Sequence, residues 1–122
     1  MAKILLVDDS NLSRRILRRI LEPLGHDIIE AQDGLTAIEH YFIEHPDLVF
    51  LDMTMTGMHG MDVLNKIREF DENARIIVAT ADIQSSTRTM VRDMGAIGFV
   101  AKPFTEENVL RAIEAIFAGE SK

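Results

Sequence analysis

Five short apolar runs, set apart by five stretches of helical periodicity, leave this chain few folds to choose from. The runs are Ile4–Asp8, Asp27–Ala31, Leu48–Met53, Arg75–Thr80 and Gly98–Lys102. They are rich in Ile, Val, Leu and Phe and lack the polar–apolar alternation of a strand with one wet face. They therefore read as strands covered on both sides. Each gap leaves room for one helix in a right-handed crossover. Strict β–α alternation predicts an α/β fold with one open, doubly wound parallel sheet, whose ligands bind beyond the carboxyl ends of the strands.

The helices follow from caps and apolar spacing. Ser10 is expected to cap the first, with Leu12, Ile16, Ile20 and Leu24 inward and Leu17 and Leu21 beside them. Arg14, Arg15, Arg18 and Arg19 read as its solvated outer face, with kinase docking beside Asp9 as the alternative. Asp33 should cap the second helix, which buries Leu35, Ile38, Tyr41 and Phe42. The third runs from about Met61, with Val63, Leu64, Ile67 and Phe70 inward. Thr105 should cap the fifth, whose stripe is Val109, Leu110, Ile113, Ile116 and Phe117. The fourth, Gln84 to Met94, is the weakest, because Gln-Ser-Ser-Thr-Arg-Thr holds poor helix formers and only Met90, Val91 and Met94 anchor it.

Composition removes several functions. The 122 residues suit one domain, and a formal charge of −7 opposes sequence-independent nucleic-acid binding. Cysteine is absent, so disulfides, thiolate metal sites and Cys nucleophiles are out. No apolar run is long enough to span a membrane, and Asp8-Asp9 interrupt any signal-peptide pattern, so the expected compartment is the cytoplasm. His26, His40, His45 and His59 lack metal-ligand spacing. Met53, Met55, Met58 and Met61 read as loop anchors, and Glu30 and Asp47 as strand-edge charges.

The chemistry gathers at strand ends. Four of the five strands finish on polar residues, namely Asp8-Asp9, Asp52, Thr80 and Lys102. In a parallel sheet these ends share one edge. Three carboxylates brought together there repel one another and would hold protons unless a cation neutralised them. An all-oxygen ligand set points to a hard divalent ion, Mg²⁺. A carboxylate beside Mg²⁺, with an ammonium and a hydroxyl nearby, can attack phosphorus. Asp52 is the expected nucleophile, Asp8 and Asp9 the metal ligands, and Thr80 and Lys102 the groups that hold phosphoryl oxygens.

The segments Leu6-Val7-Asp8-Asp9-Ser10, Leu51-Asp52-Met53, Thr80-Ala81 and Ala101-Lys102-Pro103-Phe104 closely resemble the receiver domain of two-component response regulators, in its stand-alone form, as in chemotaxis. The resemblance covers essentially the whole chain. It implies a flavodoxin-like (βα)5 sandwich with strand order 2-1-3-4-5, a receiver domain over residues 1–122 and no separate output domain. It implies a phospho-accepting signalling protein, not an enzyme, that catalyses its own phosphorylation and dephosphorylation at Asp52. A sensor histidine kinase would be the donor, Mg²⁺ would be held by Asp8, Asp9, Asp52 and the carbonyl of Thr54, and a phosphatase is a further possible partner. Thr80 would swing toward the phosphoryl group and Phe99 would turn inward, remodelling the face of the fourth helix, fifth strand and fifth helix for a downstream target. The resemblance also implies a cis Lys102-Pro103 bond and a monomer that binds neither nucleic acid nor membrane.

One departure stands out: Met55-Thr56-Gly57 lacks the Pro that the family commonly has in the loop after the nucleophile. The resemblance implies that Thr54 and Asp82, which flank the site, bear on phosphoryl lifetime. A small phosphohydrolase working through an aspartyl-phosphate is the alternative, but the chain has no spare length for a cap over a substrate. A flavin or nucleotide carrier would need a Gly-rich loop after the first strand, where Asp-Asp-Ser-Asn stands instead.

Overall fold

The computed structural model describes residues 2–54, 60–81 and 85–120, with side chains given except at 85–87 and 117–120. The chain alternates β1 (Lys3–Val7), α1 (Asn11–Leu21), β2 (Asp27–Ala31), α2 (Gly34–Glu44), β3 (Leu48–Asp52), α3 (Gly60–Phe70), β4 (Ile76–Thr80), α4 (Ser85–Asp93), β5 (Gly98–Ala101) and α5 (Glu106–Glu120). The five strands form one parallel sheet in the order β2-β1-β3-β4-β5. This is the doubly wound flavodoxin-like architecture expected from the strand pattern and the resemblance.

The missing alternation in the central strands has a direct cause. Leu5, Val7, Val49, Leu51, Ile76 and Val78 face one core, closed by Ala37 and Tyr41 of α2, Val63, Leu64 and Ile67 of α3, and Val91 of α4. Their neighbours Ile4, Leu6, Leu48, Phe50, Ile77 and Ala79 face the other, closed by Leu17 and Leu21 of α1 and Val109, Ile113 and Ile116 of α5. Both faces of β1, β3 and β4 are dry, so every position is apolar until the strand ends. Each fully buried aliphatic chain contributes about 1.5–3 kcal/mol, so the sheet centre rather than helix propensity carries the stability.

The helix caps form as the sequence suggests. The Ser13 N–H donates to Ser10 Oγ at 3.2 Å and the Thr36 N–H to Asp33 Oδ1 at 2.8 Å. At α5 the cap is reciprocal, since the Asn108 N–H donates to Thr105 Oγ1 while the Thr105 N–H donates to Asn108 Oδ1. Such pairs satisfy N–H groups that have no partner within the helix.

Several inward faces differ from expectation. On α1 the buried residues are Arg14, Leu17 and Leu21; Ile16 and Ile20 are half-buried and Leu12 is 63% exposed. Leu24 lies in a short 3₁₀ turn (Glu22–Leu24) and is exposed, because Pro23 stops the α-helix and Gly25 turns the chain at φ 90°. The i, i+4 stripe drawn through Leu24 therefore runs off the helix. On α2, Ala37 and Tyr41 face the core, while Leu35 is 66% exposed and Phe42 is also exposed. Phe70, at the end of α3, is exposed as well and packs its ring against Phe42, with centroids 4.3 Å apart. α4 is held by Val91 and half-buried Met94, and Met90 points outward. Leu110 of α5 is half-buried. The readings placed on Met55, Thr56, Gly57, Met58, His59, Asp82, Gln84 and the Phe117 side chain fall outside the described residues. Among the described residues no helix is long and apolar enough to cross a membrane.

Candidate functional site

Register brings the polar strand ends together. Val7 stands opposite Leu51, Asp52 opposite Ala79, and Thr80 opposite Ala101. The ladder continues one residue past three of these ends. The Asp8 N–H donates to Ala31 O, the Met53 N–H to Ala79 O and the Lys102 N–H to Thr80 O. Backbone pairing, rather than loop conformation, thus sets where Asp8, Asp52 and Lys102 emerge.

Carboxylate oxygens of Asp8, Asp9 and Asp52 all lie within 4.8 Å of one another. Asp8 and Asp52 are each only 2% exposed and Thr80 1%, whereas Asp9 is exposed. Lys102 Nζ reaches between the acids, 2.8 Å from Asp8 Oδ2 and 3.5 Å from Asp52 Oδ1, with the Phe104 ring 5.7 Å away on its other side. Asp52 Oδ1 also accepts from Thr54 twice, from the N–H at 3.2 Å and from Oγ1 at 3.0 Å. Asp8 Oδ1 accepts from the Ser10 N–H at 2.9 Å. The Lys102-Pro103 peptide bond is cis.

One ammonium does not balance three carboxylates. Burial pushes the Asp8 carboxyl above its ordinary value; Lys102 and the Ser10 N–H pull it down, and the charge of Asp52 pushes it up again. Burial alone would lower the Lys102 ammonium, yet Asp8 and then Asp52 hold it above its usual range. Asp8 Oδ2 is buried against the Lys102 ammonium at 2.8 Å, and that one positive charge leaves two of the three negative charges unbalanced. Crowded carboxylates in excess of their counter-charge cost free energy unless a further cation joins them. The donor set is all oxygen and its net charge is negative, which suits a hard divalent ion. The residues present therefore fit Mg²⁺.

Arg14 was read as part of a solvated face, and the structure corrects this. The side chain is buried, its guanidinium donating to the carbonyl of Asp8 and to Asn11 Oδ1, and its Nε to Glu30 Oε1 at 2.8 Å. Arg18 completes the pairing with Glu30 at 2.7 Å and also meets Glu22. Burial would raise the Glu30 carboxyl, but Arg18 and Arg14 together hold it below the ordinary value. The signal for a buried Arg14 is its place one turn ahead of Leu17, in line with Leu21, where an outward residue does not belong.

Gly60 opens α3 and is buried. A Cβ there would lie 2.5 Å from the Asp52 carbonyl oxygen and 2.7 Å from Met53 Cα, so α3 starts directly against the backbone of Asp52. Phe99 is half-buried on β5, packed on the core, with the Arg88 guanidinium 5.1 Å above its ring. Met53 packs against the core, as a loop anchor should. His26 Nδ1 accepts from the Ala2 N–H and His45 ends α2. Asp47 accepts from the Lys3 N–H.

A family model described as the response regulator receiver domain matches residues 4–114. The chemotaxis protein CheY of Halobacterium salinarum is 39% identical over 95% of this chain and 98% of that protein. Sporulation initiation phosphotransferase F of Bacillus subtilis is 35% identical over 92% of this chain and 90% of that protein. The chain also superposes on a solved CheX–CheY–BeF3–Mg²⁺ complex from Borrelia burgdorferi with a TM-score of 0.90, at 35% identity, covering 94% of this chain and 88% of the matched one. Receivers of this type serve phosphorylation-dependent signalling and bind Mg²⁺ at an acidic pocket. On its sequence, its fold and the match across nearly its whole length, this chain belongs to the response regulator receiver domain family.

Proposed function

We propose that Asp52 accepts a phosphoryl group from the phosphohistidine of a sensor histidine kinase, and that the resulting change at the sheet edge is read by a partner protein on the face of α4, β5 and α5. The cluster of Asp8, Asp9 and Asp52 carboxylates within 4.8 Å of one another, with Lys102 reaching Asp8 and Asp52, is the observation that carries this reading. Asp8, Asp9, Asp52 and the carbonyl of Thr54 would hold Mg²⁺. When bound, the ion supplies positive charge for the phosphoryl oxygens. An Asp52 carboxylate oxygen attacks phosphorus, the P–N bond to the donor imidazole breaks, and the imidazole leaves with the bond's electron pair and takes up a proton. Lys102 neutralises charge on the transferring oxygens and stays beside the acyl phosphate. Thr80, which is buried at the end of β4, donates its hydroxyl to the new phosphoryl group, and Phe99 follows it inward. Water then hydrolyses the acyl phosphate, aided by a phosphatase where the signal must end quickly.

The match over 98% of the Halobacterium chemotaxis protein supports a receiver that passes its signal by contact with a partner protein. Chemotaxis and a phosphorelay are both represented among the relatives. A phosphohydrolase would need a substrate pocket over the acids, yet among the described residues the large cavity lies between α4 and α5. Incubation with Mg²⁺ and a small acyl-phosphate donor, followed by intact-mass measurement, tests the proposal. Wild type should gain one labile phosphoryl group and Asp52→Asn none. Equal labelling of both, or rapid turnover of unrelated phosphate esters, would defeat it.

A further inference from the structure

Apolar side chains stay exposed along one line of α2. Leu35, Phe42 and Ile43 are all exposed, and with Glu39 they fall at i, i+4, i+7 and i+8 on one helix face. Phe70, exposed at the end of α3, extends the strip, its ring in contact with that of Phe42. A single exposed apolar residue is ordinary, whereas several gathered on two adjoining helices mark a contact surface.

Beside the two rings is a cavity of about 190 Å³ lined by Tyr41, Phe42, His45, Phe70 and Asp71. Small-molecule sites measure about 300–1,000 Å³, so this one suits a single side chain rather than a cofactor. Its walls include three aromatic rings and one carboxylate. Aromatic faces attract a cation, and a carboxylate among them adds a full opposite charge. Asp71 accepts from the Tyr41 hydroxyl through Oδ2 and from the Asn73 N–H through Oδ1. Both bonds fix the carboxylate in place and leave each oxygen a lone pair for a further donor. Arg68 and His45 are close enough to act on it, but the Arg68 guanidinium donates to the Glu72 carbonyl.

The surroundings are acidic. α2 carries Glu39 and Glu44 and neither Lys nor Arg, and Glu69, Asp71 and Glu72 flank Phe70. Lys3 and Lys66 answer Glu44 and Glu69 only through solvent-accessible ion pairs, at 3.2 and 3.7 Å, which are weak. Two copies of the chain meeting through this face would bring like charges together, whereas a basic partner would not. α2 hands over to the start of β3 and α3 to the start of β4, so the cavity lies at the opposite edge of the sheet from Asp8, Asp52 and Lys102.

We propose that the α2–α3 face docks a basic, amphipathic helical segment of a partner protein, whatever the state of Asp52. One Arg or Lys head of that segment enters the cavity beside the aromatic rings and Asp71, and its apolar stripe lies along Leu35, Phe42 and Ile43.

The probe is a display library of helical peptides with a fixed leucine stripe and randomised flanks. It is depleted on Phe42→Ser/Phe70→Ser or on Glu39→Lys/Ile43→Lys, which leaves the cavity walls intact, and is then panned on the full wild-type chain. Either bait suffices once its melting curve shows it folded. Survivors should carry Arg or Lys beside the stripe, weaken as salt rises, and bind untreated and beryllofluoride-treated protein alike. Asp71→Asn, which keeps an acceptor for Tyr41 but loses the charge, should bind them about fivefold more weakly. No survivors, survivors without basic flanks, equal binding to Asp71→Asn, an about tenfold preference for either form, or a wild-type dimer that masks the face would each overturn the proposal.

Discussion

Replacing Arg14 with Met keeps most of the buried volume and deletes one guanidinium, so it isolates what that group holds. The wild-type guanidinium serves the Asp8 carbonyl, Asn11 and Glu30. Glu30 is 31% exposed and keeps Arg18, so its loss is largely offset by the remaining partner and by water. Asn11 is exposed and rehydrates. The Asp8 carbonyl is the costly item, since a buried acceptor without a donor forfeits about 1–3 kcal/mol. With a smaller share for Glu30 the total comes to about 3 kcal/mol. For a chain of this size that lowers the melting temperature by roughly 10 °C. The sharper expectation concerns the metal, because the same carbonyl belongs to the peptide group that joins Asp8 to Asp9. Mg²⁺ affinity, read by titration calorimetry because the chain has no Trp, should fall about tenfold, equivalent to about 1.4 kcal/mol. Leu17→Ala is the control. It removes a buried side chain one turn further along the same helix at a cost of about 2–5 kcal/mol and should leave Mg²⁺ affinity unchanged. An Arg14→Met protein that binds Mg²⁺ like wild type, or both variants losing it equally, would refute the idea that Arg14 positions the acid pair.

Three further outcomes follow from the same geometry. Gly60→Ala pushes a Cβ into the backbone of Asp52 and Met53; it should cost about 1–3 kcal/mol in chemical denaturation and slow phosphorylation, and wild-type behaviour in both would contradict that packing. Tyr41→Phe removes the hydroxyl that donates to Asp71 Oδ2 at 2.7 Å, with an expected loss of about 1 kcal/mol near neutral pH. That hydroxyl, and then the Asn73 N–H, hold the Asp71 carboxyl below its ordinary 3.8, so the contribution is present above that value and disappears as pH falls through the depressed one. Stability curves of the two proteins should converge at the acid end; a gap that stays constant would count against the bond. Lys102→Met leaves two buried acids without their ammonium, so Mg²⁺ should bind at least as tightly while phosphoryl transfer slows more than tenfold in stopped assays. Unchanged transfer would remove Lys102 from the chemistry.

How much of this was legible beforehand depends on the kind of signal. The strands were readable because β1, β3 and β4 are dry on both faces, leaving unbroken apolar runs that only a doubly covered sheet explains. The clustering of Asp8, Asp9 and Asp52 was readable because parallel strands end together, and ladder bonds beyond the strand ends keep that level. Helix faces were harder to read. Leu12, Leu35 and Phe42 are apolar yet exposed, since spacing marks a stripe without saying which edge of it meets the sheet. Arg14 was misplaced because side-chain type suggested water, while Glu30 and the Asp8 carbonyl, distant in sequence or hidden in the backbone, supply its partners. The close approach of Gly60 to Asp52 and the Arg88–Phe99 stack are tertiary facts with no local signature.

The central claim is that three acids from two strand ends share one cation so that a single one of them becomes phosphorylated. Reductive trapping reads it most directly. After incubation with Mg²⁺ and an acyl-phosphate donor, borohydride converts the phosphorylated aspartate to homoserine, and peptide mapping locates it. One homoserine at position 52, lost when a chelator is present, is the predicted result. Label at Asp8 or Asp9, label scattered over several acids, or an undiminished yield in chelator would contradict the account.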